Sequence, residues 1–150
     1  MRIIPFTKLG FEELEKQLEV EVSKRPDAVK TLTRAREMGD LSENGLYKAA
    51  KQELNDLDRN IRNLKYLIKY ANITVPINNN FVQIGHKVLV ETVDGEKEFL
   101  LVGEYEANPK QNKISNKSPI GHNLMGRKVG ENISITTPNR QIEMKIISIS

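Results

Sequence analysis

Between residues 50 and 68 the apolar side chains Ala50, Leu54, Leu57, Ile61, Leu64 and Ile68 alternate spacings of four and three. That rhythm draws one continuous stripe along an α-helix, the seam of a coiled coil, and such a stripe must be covered by a partner. The nearest partner lies upstream. Thr7 is suited to cap a helix, with Phe6 and Phe11 placed as a hydrophobic staple around it. Phe11, Leu14, Leu18 and Val22 follow at helical spacing, Pro26 predicts a kink or short break, and Val29 and Leu32 resume the pattern. Between the two helices lies Met38-Gly39-Asp40-Leu41-Ser42. Gly39 can end the first helix in a left-handed conformation, and Asp40 with Glu43 three residues on can open the second as a capping box. So short a turn makes the helices antiparallel. From Leu41 to Ala71 is roughly 30 residues, which predicts a hairpin about 45 Å long at ~1.5 Å per residue.

The period changes near residue 75. Helical patterning fades through Asn72-Ile73-Thr74-Val75-Pro76, and Ile77-Asn78-Asn79-Asn80 reads as a polar linker. Residues 86–92 and 96–102 are strand-like and flank Val93-Asp94-Gly95, a hairpin signal. A second pair, 133–136 and 142–146, flanks Pro138-Asn139-Arg140. Between the pairs, the stretch from Ser118 to Gly126 suggests a short helix entered through Pro119 and closed by glycine. The expected architecture is α+β: a helical hairpin with an acidic tip over 1–75, a linker over 76–82, and a compact domain on an antiparallel sheet with a short helix over 83–150.

Several function classes fall away on composition. Hydrophobic residues make up 38% and charged residues 29% of the 150, as in a folded, water-exposed protein. No apolar run approaches the ~20 residues of a membrane helix, and Met1 to Pro5 lacks the apolar core of an export signal. Cysteine is absent, which excludes disulfides and thiolate metal sites and fits a reducing cytoplasm. His86 and His122 stand far apart, so surface or packing roles are expected for both rather than a metal site. The net charge of +3 and pI near 9.1 are compatible with a nucleic-acid partner but do not select one.

The tip of the hairpin carries Glu37, Asp40 and Glu43. Asp40 and Glu43, three apart, can sit on neighbouring positions of one helical turn and offer oxygen ligands to a hard cation such as Mg²⁺. Alternatively they simply cap the helix and favour its positive end. The two roles compete, because a helix N-terminus repels cations and Mg²⁺ demands six ligands. If the tip handles a metal, another molecule supplies the rest of the shell. No Mg²⁺ should be held firmly by the isolated protein.

At the tip, Ala35-Arg36-Glu37-Met38-Gly39-Asp40-Leu41-Ser42-Glu43-Asn44 followed by Tyr47-Lys48-Ala49-Ala50 resembles the signature of the Gre family of bacterial transcript cleavage factors. Lys24-Arg25-Pro26 resembles that family's basic-proline step in its first helix. Gly103-Glu104-Tyr105-Glu106-Ala107, Lys113-Ile114-Ser115, Ser118-Pro119-Ile120 and Leu124-Met125-Gly126 recur in the family's order, so the similarity spans essentially the whole chain. The resemblance implies a hairpin that enters the secondary channel of bacterial RNA polymerase and an FKBP-like C-terminal domain that docks at the channel mouth. It implies that Asp40 and Glu43 are donated to the polymerase active site, where they share a second Mg²⁺ that promotes hydrolysis of backtracked RNA. The factor would then be no enzyme itself but a stimulator of the polymerase's own endonuclease activity, a cytoplasmic monomer whose partners are polymerase and the nascent RNA 3′ end. Lys48, Lys51 and Arg36 become candidates for contact with RNA or the channel wall, and Ser118, Pro119 and Ile120 for docking. Arg59, Arg62, Lys65 and Lys69 continue the basic row, and a solvated face with local ion pairs explains Arg62, Lys65 and Lys69 at least as well. Two positions depart from the pattern: Gly45 and Leu46 stand where family members often carry alanine and an acidic residue. Related factors that inhibit polymerase have a more acidic tip, which favours cleavage here.

Two other classes compete. A channel-binding regulator without cleavage activity shares every feature but the tip acids. A prolyl isomerase, suggested by the FKBP-like similarity, needs an aromatic-lined apolar pocket, and the second half offers only Phe81, Phe99 and Tyr105.

Overall fold

The computed structural model describes residues 2–38 and 44–150. The chain divides into two compact units, one of residues 12–70 and one formed by the first eleven residues together with 71–150. Helix α1 spans Lys8–Arg36 and α2 spans Gly45–Tyr70.

In the unit of residues 12–70 the helices are antiparallel, with Ala28 of α1 packed against Leu57 and Ile61 of α2, and Leu18 and Leu54 flanking them. The stripe on α2 lies where its rhythm puts it: Ala50, Leu57 and Ile61 are buried and Leu54, Leu64 and Ile68 half-buried. On α1 the expected stripe is out of phase after Leu18. Val22 and Val29 are 46% and 36% exposed, whereas Ala28 and Ala35 are buried. The seam of α1 runs instead through Leu14, Leu18, Glu21, Arg25, Ala28, Leu32 and Ala35, still at spacings of four and three. Its middle is polar, and there Arg25 reaches across to Asp58 of α2 with contacts of 2.8 and 3.4 Å. The regular partner stripe dictates the phase, and two β-branched residues one position off it are left in water. Nor does Pro26 interrupt α1, which is continuous through it. Its missing N–H would serve the Val22 carbonyl, and both residues are on the exposed side where water can substitute.

In the other unit a short parallel sheet pairs β1 (Ile4–Phe6) with β2 (Ala71–Ile73). The expected domain boundary at residue 75 therefore shifts for the first residues. Ile4 and Phe6 are fully buried here, and Phe6 stacks on Tyr105 at a centroid distance of 6.4 Å. Thr7 does cap α1, accepting from the Gly10 amide at 3.0 Å. The Glu106 carboxylate holds this start in turn: it accepts from the Thr7 amide and hydroxyl and, at 3.3 Å, from the Gly103 amide. Gly10 makes room for it, since a Cβ there would lie 1.7 Å from Glu106 Oε1.

The main sheet has the strand order β5-β4-β3-β7-β6, with β3 Lys87–Thr92, β4 Gly95–Val102, β5 Lys113–Ser115, β6 Asn132–Thr136 and β7 Gln141–Ile149. Both expected hairpins form, β3 with β4 and β6 with β7. The sheet is not purely antiparallel as expected: β5 joins β4 in parallel, so it is mixed. Helix α3, Pro119–Leu124, lies between β5 and β6 in sequence and supplies Leu124 to the core. Alternation sends Val88, Val90, Phe99, Leu101, Ile133 and Ile135 inward. A register shift between Leu89 and Val90 carries the buried positions of β7 from Met144 and Ile146 to Ile149. The expected linker over 76–82 ends sooner, because Val82 is fully buried and its amide donates to the Arg127 carbonyl at 2.8 Å.

His86 is the buried ionisable side chain of this unit, 1% exposed. Its Nδ1 accepts from the Gln83 amide at 3.0 Å, which leaves Nε2–H to meet Asn79 Oδ1 at 3.2 Å. Burial lowers its pKa below the ordinary 6.5, outweighing a backbone hydrogen bond at Asn78 that favours the charged ring.

Two outcomes follow. Between the folded pKa of His86 and 6.5 the unfolded chain binds more protons, so stability is whole above 6.5 and is lost as pH falls through the folded value. Thermal melting between about pH 7.5 and pH 5 should show that decline, and His86→Gln should flatten it while lowering stability throughout. For the helical unit, Val22→Gln should change stability by no more than about 0.5 kcal/mol, whereas Leu57→Ala should cost about 2–4 kcal/mol. Chemical denaturation of the two variants checks the phase of the seam.

Candidate functional site

The antiparallel packing brings the end of α1 beside the start of α2. Small buried residues, Ala35 at 4% and Ala50 at 4% exposure, let the two backbones approach. The last turn of α1 closes with the Glu37 amide donating to the Thr33 carbonyl and the Met38 amide to the Ala35 carbonyl, each at 3.2 Å. Helix α2 begins at Gly45, later than expected, and its cap is Asn44: Oδ1 accepts from the Tyr47 amide at 3.0 Å. The capping box expected of Asp40 and Glu43 falls outside the described residues, as does Gly39. The same Asn44 side chain turns its Nδ2 to the Ala35 carbonyl at 2.7 Å. Asn is among the best N-cap residues, so its place before Gly45 was a legible signal; its second bond was not, because Ala35 is nine residues away.

The basic candidates are spread around this end. Lys48 and Lys51 are exposed on the first turns of α2. Arg36 is exposed too, with its guanidinium 6.0 Å from the centre of the Tyr47 ring. Further along, Arg59 pairs with Asp56 on its own helix. The hydrogen bond from Arg25 holds the Asp58 carboxyl below its ordinary value and raises that of Arg25. Met38 and Leu46, 66% and 61% exposed, border a shallow hollow of about 260 Å³ beside Ala35 and Ala50.

The docking candidates are in the other unit. Ser118 caps α3, accepting from the Gly121 amide at 3.1 Å, while its hydroxyl donates to the Ser115 carbonyl at 2.7 Å. Ile120 packs against the core, and Pro119 is exposed at the first helical position. Gly121 is required by the same close approach, since a Cβ there would lie 1.9 Å from the Ser115 carbonyl oxygen. Beside Ile120 a cavity of about 320 Å³ is bordered by Ile142, Met144, Lys97 and Arg140, with Phe99 its one aromatic side chain. An aromatic cage of the kind a prolyl isomerase needs is not formed there.

Among the described residues no three His, Asp or Glu side chains gather to hold a metal ion. No helix among them is long and apolar enough to cross a membrane.

Residues 4–73 match the family model described as "Transcription elongation factor, N-terminal", and residues 77–150 match "Transcription elongation factor, GreA/GreB, C-term". The chain belongs to the Gre family of transcription elongation factors. It is 41% identical to transcription elongation factor GreA of Staphylococcus carnosus (strain TM300), covering 97% of this chain and 94% of the relative. It is 38% identical to GreA of Bacillus subtilis (strain 168), covering 99% and 98%. The crystal structure of Thermus aquaticus Gfh1 is 31% identical, with 99% of each chain covered and a TM-score of 0.47. The two family models meet between residues 73 and 77, close to the change of period in the sequence.

Ser118 has a structural task whatever else its segment does. Ser118→Ala should remove one cap and cost about 1 kcal/mol, read as a lower denaturation midpoint with no change in helix content of α1 and α2.

Proposed function

We propose that this Gre-family member inserts its helical hairpin into the secondary channel of bacterial RNA polymerase and stimulates the polymerase's own cleavage of backtracked RNA. The observation that carries the reading is the closure of the hairpin end. Ala35 and Asn44, which flank the stretch containing Asp40 and Glu43 in sequence, are joined by a hydrogen bond of 2.7 Å at the end of the helix pair. Lys48 and Lys51, exposed on the following turns, suit contact with RNA phosphates or an acidic channel wall. The unit built on the mixed sheet, with Pro119 exposed beside Ser118 and Ile120, serves as the docking module at the channel mouth. Docking would raise the effective concentration of the tip at the active site.

In this reading Asp40 and Glu43 meet a Mg²⁺ ion shared with polymerase. Two carboxylates are a fraction of the six ligands Mg²⁺ requires, which favours a donated half-site over a self-sufficient one. When bound, the ion supplies electrostatic stabilisation of two-metal hydrolysis. The work left to this chain is to hold two carboxylates at the right place, and the protein is not an enzyme by itself. It acts as a cytoplasmic monomer.

Asp40→Asn tests this, because Asn matches Asp in size and keeps a side-chain oxygen acceptor while only the carboxylate is a strong Mg²⁺ ligand. On a backtracked elongation complex, cleavage should fall by about a hundredfold or more with polymerase binding unchanged. Cleavage at the wild-type rate would leave the protein a channel-binding regulator without cleavage activity.

A further inference from the structure

The Asn44 carboxamide makes two bonds in two directions. Its acceptor takes the Tyr47 amide at 3.0 Å, an ordinary cap of α2. Its donor reaches the Ala35 carbonyl at 2.7 Å, one of the last carbonyls of α1. That carbonyl also receives the Met38 amide at 3.2 Å. One neutral side chain thus satisfies a group at the end of one helix and a group at the start of the next. Only an amide places a donor and an acceptor side by side at this reach. Asp would keep the acceptor and set a negative charge against the carbonyl; Ser would keep the cap and fall short of α1.

Around this bridge the two helix ends are closed by further contacts. Ala35 and Ala50 are buried and lack the bulk to separate the backbones. The Arg36 guanidinium lies 6.0 Å from the Tyr47 ring centre, joining the same two turns a second time. A loop gains precision when both its ends are fixed to each other, and catalytic groups displaced by about 1 Å can lose about a hundredfold in rate.

We infer that Asn44 is a positioning residue: by tying α1 to α2 through its carboxamide it sets where the chain carrying Asp40 and Glu43 leaves and re-enters the hairpin. The inference rests on the proposed role of those two acids. It separates the cap of α2 from the bridge to α1 and assigns the functional effect to the bridge.

The experiment compares the full-length protein with Asn44→Ser, Asn44→Asp and Asp40→Asn in stimulated cleavage of a backtracked elongation complex. Factor concentration is varied to separate the saturated rate from the half-saturating concentration, and helix content is followed by circular dichroism. Ser and Asp both keep the cap, so helix content should be unchanged in both variants. The saturated rate should fall by about tenfold to a hundredfold, with the half-saturating concentration within about twofold of wild type. A wild-type saturated rate in either folded variant overturns the inference, as does a loss confined to the half-saturating concentration, which would mark Asn44 as a docking residue. If one variant loses helix content the other decides, and loss in both assigns Asn44 to structure alone and overturns the inference. Asp40→Asn separates the two levels: inactive Asp40→Asn beside fully active Asn44→Ser sinks the bridge alone, whereas fully active Asp40→Asn sinks the role of the acids and the inference with it.

Discussion

A stripe of leucine and isoleucine along α2 has to be kept from water, and the antiparallel contact that covers it governs the whole helical unit. The stripe is regular, so it imposes its period on α1 even where α1 has little apolar surface to offer. Glu21 and Arg25 occupy seam positions, and the Arg25–Asp58 bridge stands where a leucine would otherwise sit. Arg25 is half exposed and Asp58 half-buried, so water still screens the pair and it contributes register more than stability. The same contact determines which residues meet at the hairpin end. Ala35 faces Asn44 because Ala28 faces Leu57 seven residues lower on the same seam.

The second unit depends on a different device. The first residues of the chain are built into it by β1 pairing with β2 and by the Glu106 carboxylate, which gathers the Thr7 and Gly103 groups around the start of α1. Two glycines permit the approach: Gly10 beside Glu106 and Gly103, where a Cβ would lie 2.0 Å from the Pro5 carbonyl oxygen. The helix that carries one side of the candidate site is thus anchored, at its beginning, by a side chain from the far half of the sequence. This is why the compact units and the family-model boundaries differ for the first eleven residues.

Membership in the Gre family and the geometry of the hairpin end bear on different parts of the functional reading. The family makes transcription elongation the process in which the protein works. The geometry shows how the two helix ends are held together: a carboxamide bridge, two alanines and a guanidinium near a tyrosine ring act on the same pair of turns.

Much of this was readable in the sequence because it depends on near neighbours. The stripe of α2, the cap at Thr7, the β3–β4 and β6–β7 hairpins and the Ser118-Pro119 helix start all arise from periodicity or local hydrogen bonding within a few residues. Asp40 and Glu43 are singled out by the sequence alone, through their place between two helices and a family signature, and both lie outside the described residues. What needed tertiary structure was every decision made by a distant partner. The phase of α1 was set by α2, so Val22 and Val29 face water despite their apolar character. Pairing of β1 with β2 and of β5 with β4 joins segments too short to announce themselves, and both pairs are parallel, which no local turn can encode. Burial of His86 and the bonds of Glu106 and Asn44 span the same kind of gap. A sequence pattern records what each segment prefers, but the partner of a hydrogen bond is chosen only when the chain has folded back upon itself.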